Sequence, residues 1–423
     1  MMRNQSIYIS DAAITTKWHK EATRQMRLLF LTRSLPFHHV GGMEAVAWDL
    51  ARSLAERGHD VEILTTQTAA LPERCKRDGV RIRTMDIRSG RYSAAYWRQT
   101  AHLFETEYRN SVDLVLSIGM GAYAIAFTRR HRDSPPVLMQ SHGQAWGELI
   151  SKLSVPSPVS WLKAPKNLLD LARDRALRHF DEIIAVGPAV EDVLRAPPTR
   201  WLLGDTPVTV VANGIDERRF TFDAAARTAV RTELDIDLNA PAVVSACRLH
   251  VQKGLAESLS GFARARQTRP NLVYIIAGAG PAEARLREHA AQLGIARAVH
   301  FVGPVDRQTL PRMLSAGDVF LFTSKRREGL ALGPLEAAAT GLPCILSRHL
   351  AIAELDTWLV DPDDANGVAQ AILSSLPPFG TADRGSRLPF RYSLAHATTC
   401  YEDCFRRAID VAGNWTSRKT RGV

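Results

Sequence analysis

Two basic and two acidic residues in the carboxyl-terminal half of the chain have the types and spacing to bind an anionic ligand. Arg248 and Lys253 lie in the segment CRLHVQKGL, and Glu328 and Glu336 flank the segment GLALGPL. An arginine fork and a lysine point charge together neutralise a diphosphate. Carboxylates accept paired hydrogen bonds from vicinal hydroxyls, so the two acids suit a sugar and a ribose. Each residue alone also fits a solvated surface or a helix cap; the combination favours a binding site.

Glycine-bearing loops provide a second kind of anion site. Gly41–Gly42 precedes a predicted helix, where free backbone N–H groups favour phosphate, although a plain tight turn fits equally well. The loop 329–332 also runs into a predicted helix start. Gly278-Ala-Gly280 resembles a dinucleotide fingerprint, but Glu283 replaces its third glycine, which argues against a nicotinamide enzyme.

Apolar runs alternate with helical patterns along the chain, which is typical of parallel sheets covered by helices on both faces. The predicted strands of a first series are 26–32, 60–65, 113–118, 136–140 and 182–186. Those of a second series are 208–212, 242–246, 272–277, 299–302, 318–322 and 343–346. The predicted helices include 44–57, 255–266, 282–293, 307–316 and 334–340. Ligands of such sheets bind at the carboxyl ends of the strands, where the residues above are expected.

This pattern predicts two doubly wound α/β domains in tandem, with a boundary near residue 205 in a proline-rich stretch. The expected division is a leader that is disordered or mis-assigned (1–25), a first Rossmann-like domain (26–205), a second Rossmann-like domain (206–390), a helix that returns to the first domain (391–412) and a basic tail (413–423).

Composition excludes several classes of protein. Hydrophobic residues make up 45% and charged residues 23%, as in a globular protein, and no run approaches the ~18 apolar residues that cross a bilayer. The net charge of +10 suits an anionic partner, but its cations lack the interleaved aromatics of a nucleic-acid platform. Five scattered cysteines indicate reduced thiols in a cytoplasmic protein. The basic amphipathic stretch 161–180 either packs on the first sheet or rests on an acidic membrane.

At several motifs the chain resembles the family-4 glycosyltransferases over residues 26–410. The second half carries VVANGID, CRLHVQKGL, IIAGAGPAEARLR, FVGPV and SAGDVFLFTSKRREGLALGPLEAAATGLP, and the first half carries GGMEAVAWDLARSLAERGHDVEILT and SHG. This resemblance implies the GT-B fold, in which two Rossmann-like domains face a central cleft. It assigns the acceptor side to the first domain (26–205) and the nucleotide-sugar donor to the second (206–390). It also implies a retaining, metal-independent transfer of a sugar from a nucleotide-diphosphate donor, without a cofactor.

The resemblance assigns roles to individual residues. Arg248 and Lys253 would bind the donor diphosphate, Glu328 would contact the donor sugar, and Glu336 would hold the ribose. His142 would lie under the donor sugar. The remaining expected donor-binding residues are Gly42, Gly278, Gly280, Gly329, Leu330, Ala331 and Leu332. The chain departs from the family pattern at two places. Ala331 stands where many relatives carry glycine, and the stretch SRHLAIAEL lacks the Gly-Gly common in relatives. Both departures affect how the sugar and the acceptor are expected to be contacted.

The expected function is transfer of a sugar to a carbohydrate or glycolipid hydroxyl in cell-envelope or exopolysaccharide assembly, with peripheral membrane contact possible and no nucleic-acid partner. Two alternatives stay open: a sugar-nucleotide epimerase of related fold and a binding protein without catalysis. No metal site is expected, because Asp361-Pro-Asp363 lies at the start of a predicted helix and suits a cap. Donor base, sugar, acceptor and linkage are not determined by these patterns.

Overall fold

The computed structural model of the chain describes residues 24–38, 41–87, 90–128, 134–143, 173–377 and 384–420. These residues form two compact units. The first contains the described chain up to Gly214 together with the helix that begins at Leu394, and the second contains Ile215–Ser393. The expected leader lies almost entirely outside the described residues.

The first unit is built on an eight-stranded sheet of order β3-β4-β2-β1-β5-β6-β7-β8. All of its neighbouring strands are parallel except the β3–β4 hairpin. The strands are β1 Arg27–Leu31, β2 Asp60–Thr66, β3 Arg74–Arg77, β4 Val80–Met85, β5 Leu114–Ile118, β6 Val137–Ser141, β7 Glu182–Ala185 and β8 Val208–Val210. The strand order reverses between β1 and β5, so the loops after these two strands flank the point where open α/β sheets bind ligands.

The second unit has a six-stranded parallel sheet of order β11-β10-β9-β12-β13-β14. Its strands are β9 Ala242–Ala246, β10 Val273–Ala277, β11 Val299–Gly303, β12 Val319–Phe322, β13 Cys344–Ser347 and β14 Thr357–Val360. The order reverses between β9 and β12. Because β9 and β12 are adjacent and parallel, the residues that follow both strands meet at one edge of the sheet.

Helices cover the sheets and bury their apolar stripes. Among the described residues of the first unit they are Gly42–Glu56, Ala94–Leu103, Tyr123–Thr128, Pro188–Arg195, Thr199–Leu203 and Leu394–Thr420. In the second unit they are Ala224–Glu233, Leu255–Thr268, Glu283–Gln292, Leu310–Ala316, Leu332–Ala339 and Ala365–Ser375. The first sheet has a separate apolar cluster for each set of alternating side chains: Leu28 and Phe30 belong to one, and Leu29 and Leu31 to the other. Period-two alternation thus divides one strand between two cores.

The domain boundary differs from the expected one. The run VTVVA (208–212) was predicted as the first strand of the second series, but Val208–Val210 pairs in parallel with β7 and ends the first sheet. The division therefore falls between Gly214 and Ile215 rather than near residue 205. The physical reason is that a short apolar strand fits the free edge of either sheet, so its sequence alone does not select one.

The last helix packs on the first unit through a buried polar network. Tyr401 and Phe405 join the core, and the Tyr401 hydroxyl accepts a hydrogen bond from Gln140 Nε2 at 2.6 Å. His59 Nε2 lies 2.9 Å from Glu402 Oε1. The helix extends to Thr420, so most of the expected basic tail is helical.

The basic amphipathic stretch lies only partly within the described residues, because 161–172 fall outside them. Its remainder includes a 3₁₀ helix, Asp174–His179. Leu177 and Phe180 are buried in the first-unit core. This part of the stretch therefore packs on the first sheet, which was one of its two predicted positions. Among the residues that the structure describes, no helix is long and apolar enough to span a bilayer.

Candidate functional site

The loops after β9 and β12 are fastened together at the point where the strand order of the second sheet reverses. The backbone N–H of Lys325 donates to the Gln252 carbonyl at 2.9 Å, and Thr323 Oγ1 donates to the Gly254 carbonyl at 2.7 Å. Ser258 Oγ lies 2.6 Å from the same threonine hydroxyl. These bonds fix the position of any side chain that the two loops present.

Gly254 permits this close approach. Its φ is +66°, and a Cβ atom at this position would lie 1.9 Å from the Thr323 carbonyl oxygen. Glycine is therefore required both by the left-handed backbone and by the space available. The turn at Gly254 ends the 3₁₀ helix Val251–Lys253 and begins the helix Leu255–Thr268, so it sets where Lys253 stands.

Lys253 and Glu328 form the centre of the site. Lys253 Nζ lies 2.6 Å from Glu328 Oε1, and both side chains are about four-fifths buried, with 20% and 19% of their surface exposed. Ser324 Oγ donates to the same carboxylate oxygen at 3.3 Å, and the ammonium lies 5.2 Å from the centre of the Phe322 ring. In the described part of the chain Glu328 is the one ion-pair partner of Lys253, which leaves two ammonium hydrogens for a ligand.

Cations outnumber acids in these two loops. Segments 247–254 and 323–331 contain Arg248, Lys253, Lys325, Arg326 and Arg327, against Glu328 alone. Lys325 is paired with Glu257 and Asp363 at 2.6 and 2.7 Å. The pKa of His250 is lowered, first by burial and then by Arg248, Lys253 and Arg326, so these three cations act on one imidazole. This excess positive charge favours an anionic ligand at this edge.

Arg326 was not among the predicted site residues. Its Nε is buried without a hydrogen-bond partner in the described structure. The run KRR resembles a solvated cationic surface; the signal that could have identified Arg326 is its position two residues before Glu328, after the strand at the reversal point. Together with Arg248 and Lys253, it supplies three positive charges, one of which is offset by Glu328.

Replacement of Arg326 by glutamine is expected to weaken the binding of inorganic pyrophosphate about tenfold, since a hydrogen bond to a charged group contributes ~1.5–3 kcal/mol. Isothermal titration at constant salt measures the effect. The adjacent exposed residue offers a matched control, Arg327→Gln, which removes the same charge. Equal losses in the two variants would mean that only net charge matters, and the specific role of Arg326 would be wrong.

Gly278 and Gly280 bring the loop after β10 against the loop after β9. A Cβ atom at Gly278 would lie 1.9 Å from the Cys247 carbonyl oxygen, and one at Gly280 would lie 2.2 Å from that of Leu249. The backbone N–H of Leu249 donates to the Ala279 carbonyl at 3.0 Å. The glycines thus support the loop that carries Arg248; their expected contact with a nucleotide stays a prediction.

The loop between the two glutamates leads into the helix Leu332–Ala339, which begins two residues earlier than predicted. No side chain caps this helix start, so its first backbone N–H groups are not satisfied by Ala331. Gly329, Leu330 and Ala331 form the partly buried approach to it. Uncapped N–H groups at a helix start attract anions. The loop therefore adds backbone donors to the cations beside it.

Glu336 lies one turn into that helix and is buried, with 6% of its surface exposed. Its Oε1 is 3.7 Å from Arg307 NH2, in the loop that follows β11. The guanidinium of Arg307 in turn packs 5.6 Å from the centre of the Phe220 ring. The two predicted acids therefore have different cationic partners: Glu336 lies near Arg307, and Glu328 pairs with Lys253.

In the first unit, Gly42 is the first residue of the helix Gly42–Glu56. Its expected approach to a bound phosphate stays a prediction. A carboxylate already lies at this helix start: a Cβ atom at Gly41 would lie 2.1 Å from Glu44 Oε2. Glu44 is buried and its Oε1 accepts a hydrogen bond from Ser34 Oγ at 2.8 Å. Glu44 was not predicted; its position three residues after Gly41, as in a capping box, could have identified it.

His142 follows β6 at the carboxyl edge of the first sheet. Its Nε2 lies 2.8 Å from Gln140 Oε1. Because an amide oxygen only accepts, Nε2 carries the proton, and in the neutral ring Nδ1 is an acceptor. Burial lowers the pKa of His142 to about 4, although the nearby Glu44 carboxylate acts in the opposite direction. At neutral pH the imidazole is therefore uncharged.

We expect the ring of His142 to stay neutral between about pH 8 and about pH 5.5, through the range where an ordinary histidine titrates. Because the unfolded state binds this proton more readily, the associated stability is complete above an ordinary histidine pKa and is lost as pH falls toward about 4. Imidazole NMR shifts, assigned with His142→Asn, measure the pKa. A midpoint near an ordinary histidine value would contradict the expectation.

In the part of the chain that the structure describes, no three His, Cys, Asp or Glu side chains lie together as metal ligands. Asp364 caps the helix Ala365–Ser375 by accepting from the backbone N–H groups of Asn366 and Gly367. Asp363, from the acid pair considered above, instead pairs with Lys325.

Comparison with solved structures identifies the fold. The chain matches the catalytic domain of starch synthase IV from Arabidopsis thaliana, bound to ADP and acarbose, with a TM-score of 0.66. The match covers 91% of this chain and 100% of that one at 16% identity. Two doubly wound α/β units that match along nearly the whole chain define the GT-B fold, confirming the predicted fold class.

Two family descriptions cover most of the sequence. "Glycosyltransferase Family 4" matches residues 40–219, and "Glycosyl transferases group 1" matches residues 226–376. The chain therefore belongs to the family-4 glycosyltransferases.

Among curated relatives, glycogen synthase of Mycobacterium tuberculosis is 30% identical over 192 residues, which is 44% of this chain and 43% of that protein. The lipopolysaccharide core biosynthesis mannosyltransferase LpsB of Rhizobium meliloti is 34% identical over 160 residues, 36% of this chain and 44% of that protein. The matched part thus spans less than half the length of these two relatives.

Proposed function

We propose that this protein transfers a glycosyl group from a nucleotide-diphosphate sugar to a hydroxyl of a carbohydrate or glycolipid acceptor. The observation that carries the proposal is the Lys253–Glu328 pair at the reversal point of the second sheet, within a loop cluster of excess positive charge. A diphosphate supplies the missing negative charge. Membership of the glycosyltransferase family and the carbohydrate and nucleotide named with the starch synthase structure support this choice of ligand.

In this proposal Arg248, Lys253 and Arg326 bind the diphosphate oxygens, and the uncapped helix start at Leu332 adds backbone N–H groups. Glu328 contacts the donor sugar, and Glu336 accepts hydrogen bonds from the ribose hydroxyls. Gly42 and His142 belong to the first-unit side of the reaction, where the neutral ring of His142 accepts a hydrogen bond from the sugar. The diphosphate gains negative charge as it leaves, so fixed cations lower the barrier.

We further propose that the transfer retains the configuration at the anomeric carbon and needs no metal ion. The bond from the anomeric carbon to the diphosphate oxygen breaks, and the acceptor oxygen bonds to the same face of that carbon. The acceptor proton passes to the departing phosphate oxygen, so the nucleoside diphosphate leaves protonated. Lys253 stays close to this oxygen and stabilises its charge.

The acceptor is proposed to be part of a cell-envelope or extracellular polysaccharide. Support comes from the net charge of +10 and from LpsB, whose name places it in lipopolysaccharide core biosynthesis. If the acceptor is lipid-linked, the enzyme works at the inner face of a membrane, where acidic lipids attract a basic surface.

Product analysis tests the proposal. The protein is incubated with UDP-, ADP- and GDP-sugars, with and without envelope glycans as acceptors, and products are followed by NMR. A transferase releases nucleoside diphosphate and forms a glycoside whose anomeric coupling reports retention. Release of an isomerised free sugar without an acceptor would indicate an epimerase, and ligand binding without any product would indicate a binding protein.

A further inference from the structure

A cation that the donor site does not use lies at the reversal point of the first sheet. Arg33 is the second residue after β1, in the loop between β1 and the helix Gly42–Glu56. Its backbone is clamped on the β2 side, where Thr66 Oγ1 donates to the Arg33 carbonyl at 2.6 Å. On the other side, Thr32 Oγ1 donates to the Ser34 carbonyl at 2.9 Å. The loop therefore holds Arg33 in a defined position.

The side chain of Arg33 is positioned as well. Its guanidinium carbon lies 5.4 Å from the centre of the Tyr92 ring. Tyr92 is itself fixed, because its hydroxyl donates to the Ile118 carbonyl at the end of β5 and its ring packs against Tyr96 at 5.2 Å between centres. A guanidinium stacked on a fixed aromatic ring loses little further freedom when it binds a ligand.

This guanidinium has no acidic partner within the described chain. Its Nε is buried and makes no hydrogen bond, and none of the ion pairs among the residues that the structure describes involves this guanidinium. The nearby carboxylate of Glu44 accepts a hydrogen bond from Ser34 and lies at the helix start beside Gly41. Arginines elsewhere in this unit, such as Arg27, Arg81 and Arg83, are paired with acids. A preorganised but uncompensated cation at a ligand-binding edge is a site for an anion.

We infer that Arg33 recognises an anionic group, a phosphate or a carboxylate, on the acceptor. This inference rests on the proposed function, since it assigns the first unit to the acceptor. A planar guanidinium binds either group through two parallel hydrogen bonds, and Nε is one of the donors in that arrangement. The ring of His142 is neutral and the carboxylate of Glu44 accepts a hydrogen bond from Ser34, so Arg33 brings a positive charge to this edge for selection of the acceptor.

Thermal shifts of the full chain test this assignment. The nucleoside diphosphate among UDP, ADP and GDP that shifts Tm most is kept saturating to occupy the second-unit anion site, and glucose 6-phosphate, glucuronate and glucose are then titrated separately. Binding to the native state alone raises Tm. For the wild type we expect stabilisation by an anionic probe and none by glucose. The phosphate and carboxylate probes distinguish the two sources of charge.

Arg33→Gln is expected to raise the Kd of the anionic probe at least tenfold. Arg77→Gln is the matched control, because Arg77 also packs its guanidinium on an aromatic ring, at 4.7 Å from the Phe37 centre, but lies on the edge strand β3. Arg33→Lys serves as a second variant that keeps the charge, and we expect it to retain phosphate binding better than Arg33→Gln.

Equal stabilisation of wild type and Arg33→Gln by the anionic probe would overturn the inference, as would a wild type that responds no better to the anions than to glucose. The shifts caused by UDP, ADP and GDP alone report on the donor site. A shift by at least one of these diphosphates, with no anion response, would reject the role of Arg33 and leave the proposed function standing. No shift by any of the three would reject the proposed function itself.

Discussion

Replacing Lys253 by alanine is expected to reduce kcat for glycosyl transfer by about 10²–10³-fold while leaving the fold intact. Removal of one preorganised group that stabilises a developing anion has an effect of this size. Lys253 is about four-fifths buried and its loss leaves Glu328 without its ion-pair partner, so we expect a measurable loss of stability in a variant that still folds. Steady-state kinetics with the donor found by product analysis, together with circular dichroism, measures both quantities.

The control is Lys325→Ala. Lys325 is also a lysine of the loop after β12, but it is paired with Glu257 and Asp363 and leaves the centre of the site unchanged. The double variant Lys253→Ala/Glu328→Gln shows whether the lower kcat comes from the missing ammonium charge or from the Glu328 carboxylate that Lys253→Ala leaves unpaired. Because Lys253 and Glu328 are in direct contact, their effects should not add. Undiminished transfer by the Lys253 variant would refute its diphosphate role.

The largest expected effect on stability is that of Asp318→Asn in the second unit. Arg231 is fully buried, and its NH2 lies 2.8 Å from Asp318 Oδ2. Arg227 NH2 lies 2.8 Å from the other carboxylate oxygen. Burial lowers the pKa of Arg231, which shows how poorly this place suits an uncompensated charge. Breaking a buried pair by removing one partner costs about 3–5 kcal/mol.

Urea unfolding of the full chain measures this loss. The unfolding is repeated with the nucleoside diphosphate that binds, and the transition that this ligand shifts is assigned to the second unit. The exposed pair Arg312–Glu233, with 46% and 61% of its side chains exposed, provides a control on a neighbouring helix surface. Glu233→Gln should change stability by less than about 1 kcal/mol. A change of that small size for Asp318→Asn would show that carbonyl oxygens alone hold Arg231.

The positions of the site residues along the second sheet were predictable from sequence. Strong apolar runs gave β9 and β12, and polar residues directly after them were expected at the binding edge. The contact between Lys253 and Glu328 was not predictable, because it joins residues 75 positions apart and depends on β9 lying next to β12. Strand order is a property of the whole sheet, and no local pattern encodes it.

Other misses have different physical reasons. The β3–β4 hairpin was not predicted because its strands are rich in arginine, although Asp78–Gly79 between them is a hairpin signal and both residues have positive φ. Arg33 carries no local signal at all, since one arginine after a strand resembles a surface residue. Its importance appears only when the Tyr92 ring, 59 positions later, is seen beneath the guanidinium, with no ion-pair partner for it among the described residues.

The most direct test of the account is calorimetric titration of the full chain with nucleoside diphosphates and the matching monophosphates. We predict that one diphosphate binds much more tightly than its monophosphate, that its affinity falls with salt, and that Arg248→Gln and Lys253→Ala each remove the difference. A protein that binds the two nucleotides alike, or that keeps its preference after both cations are replaced, would contradict the claim that this loop cluster holds a diphosphate.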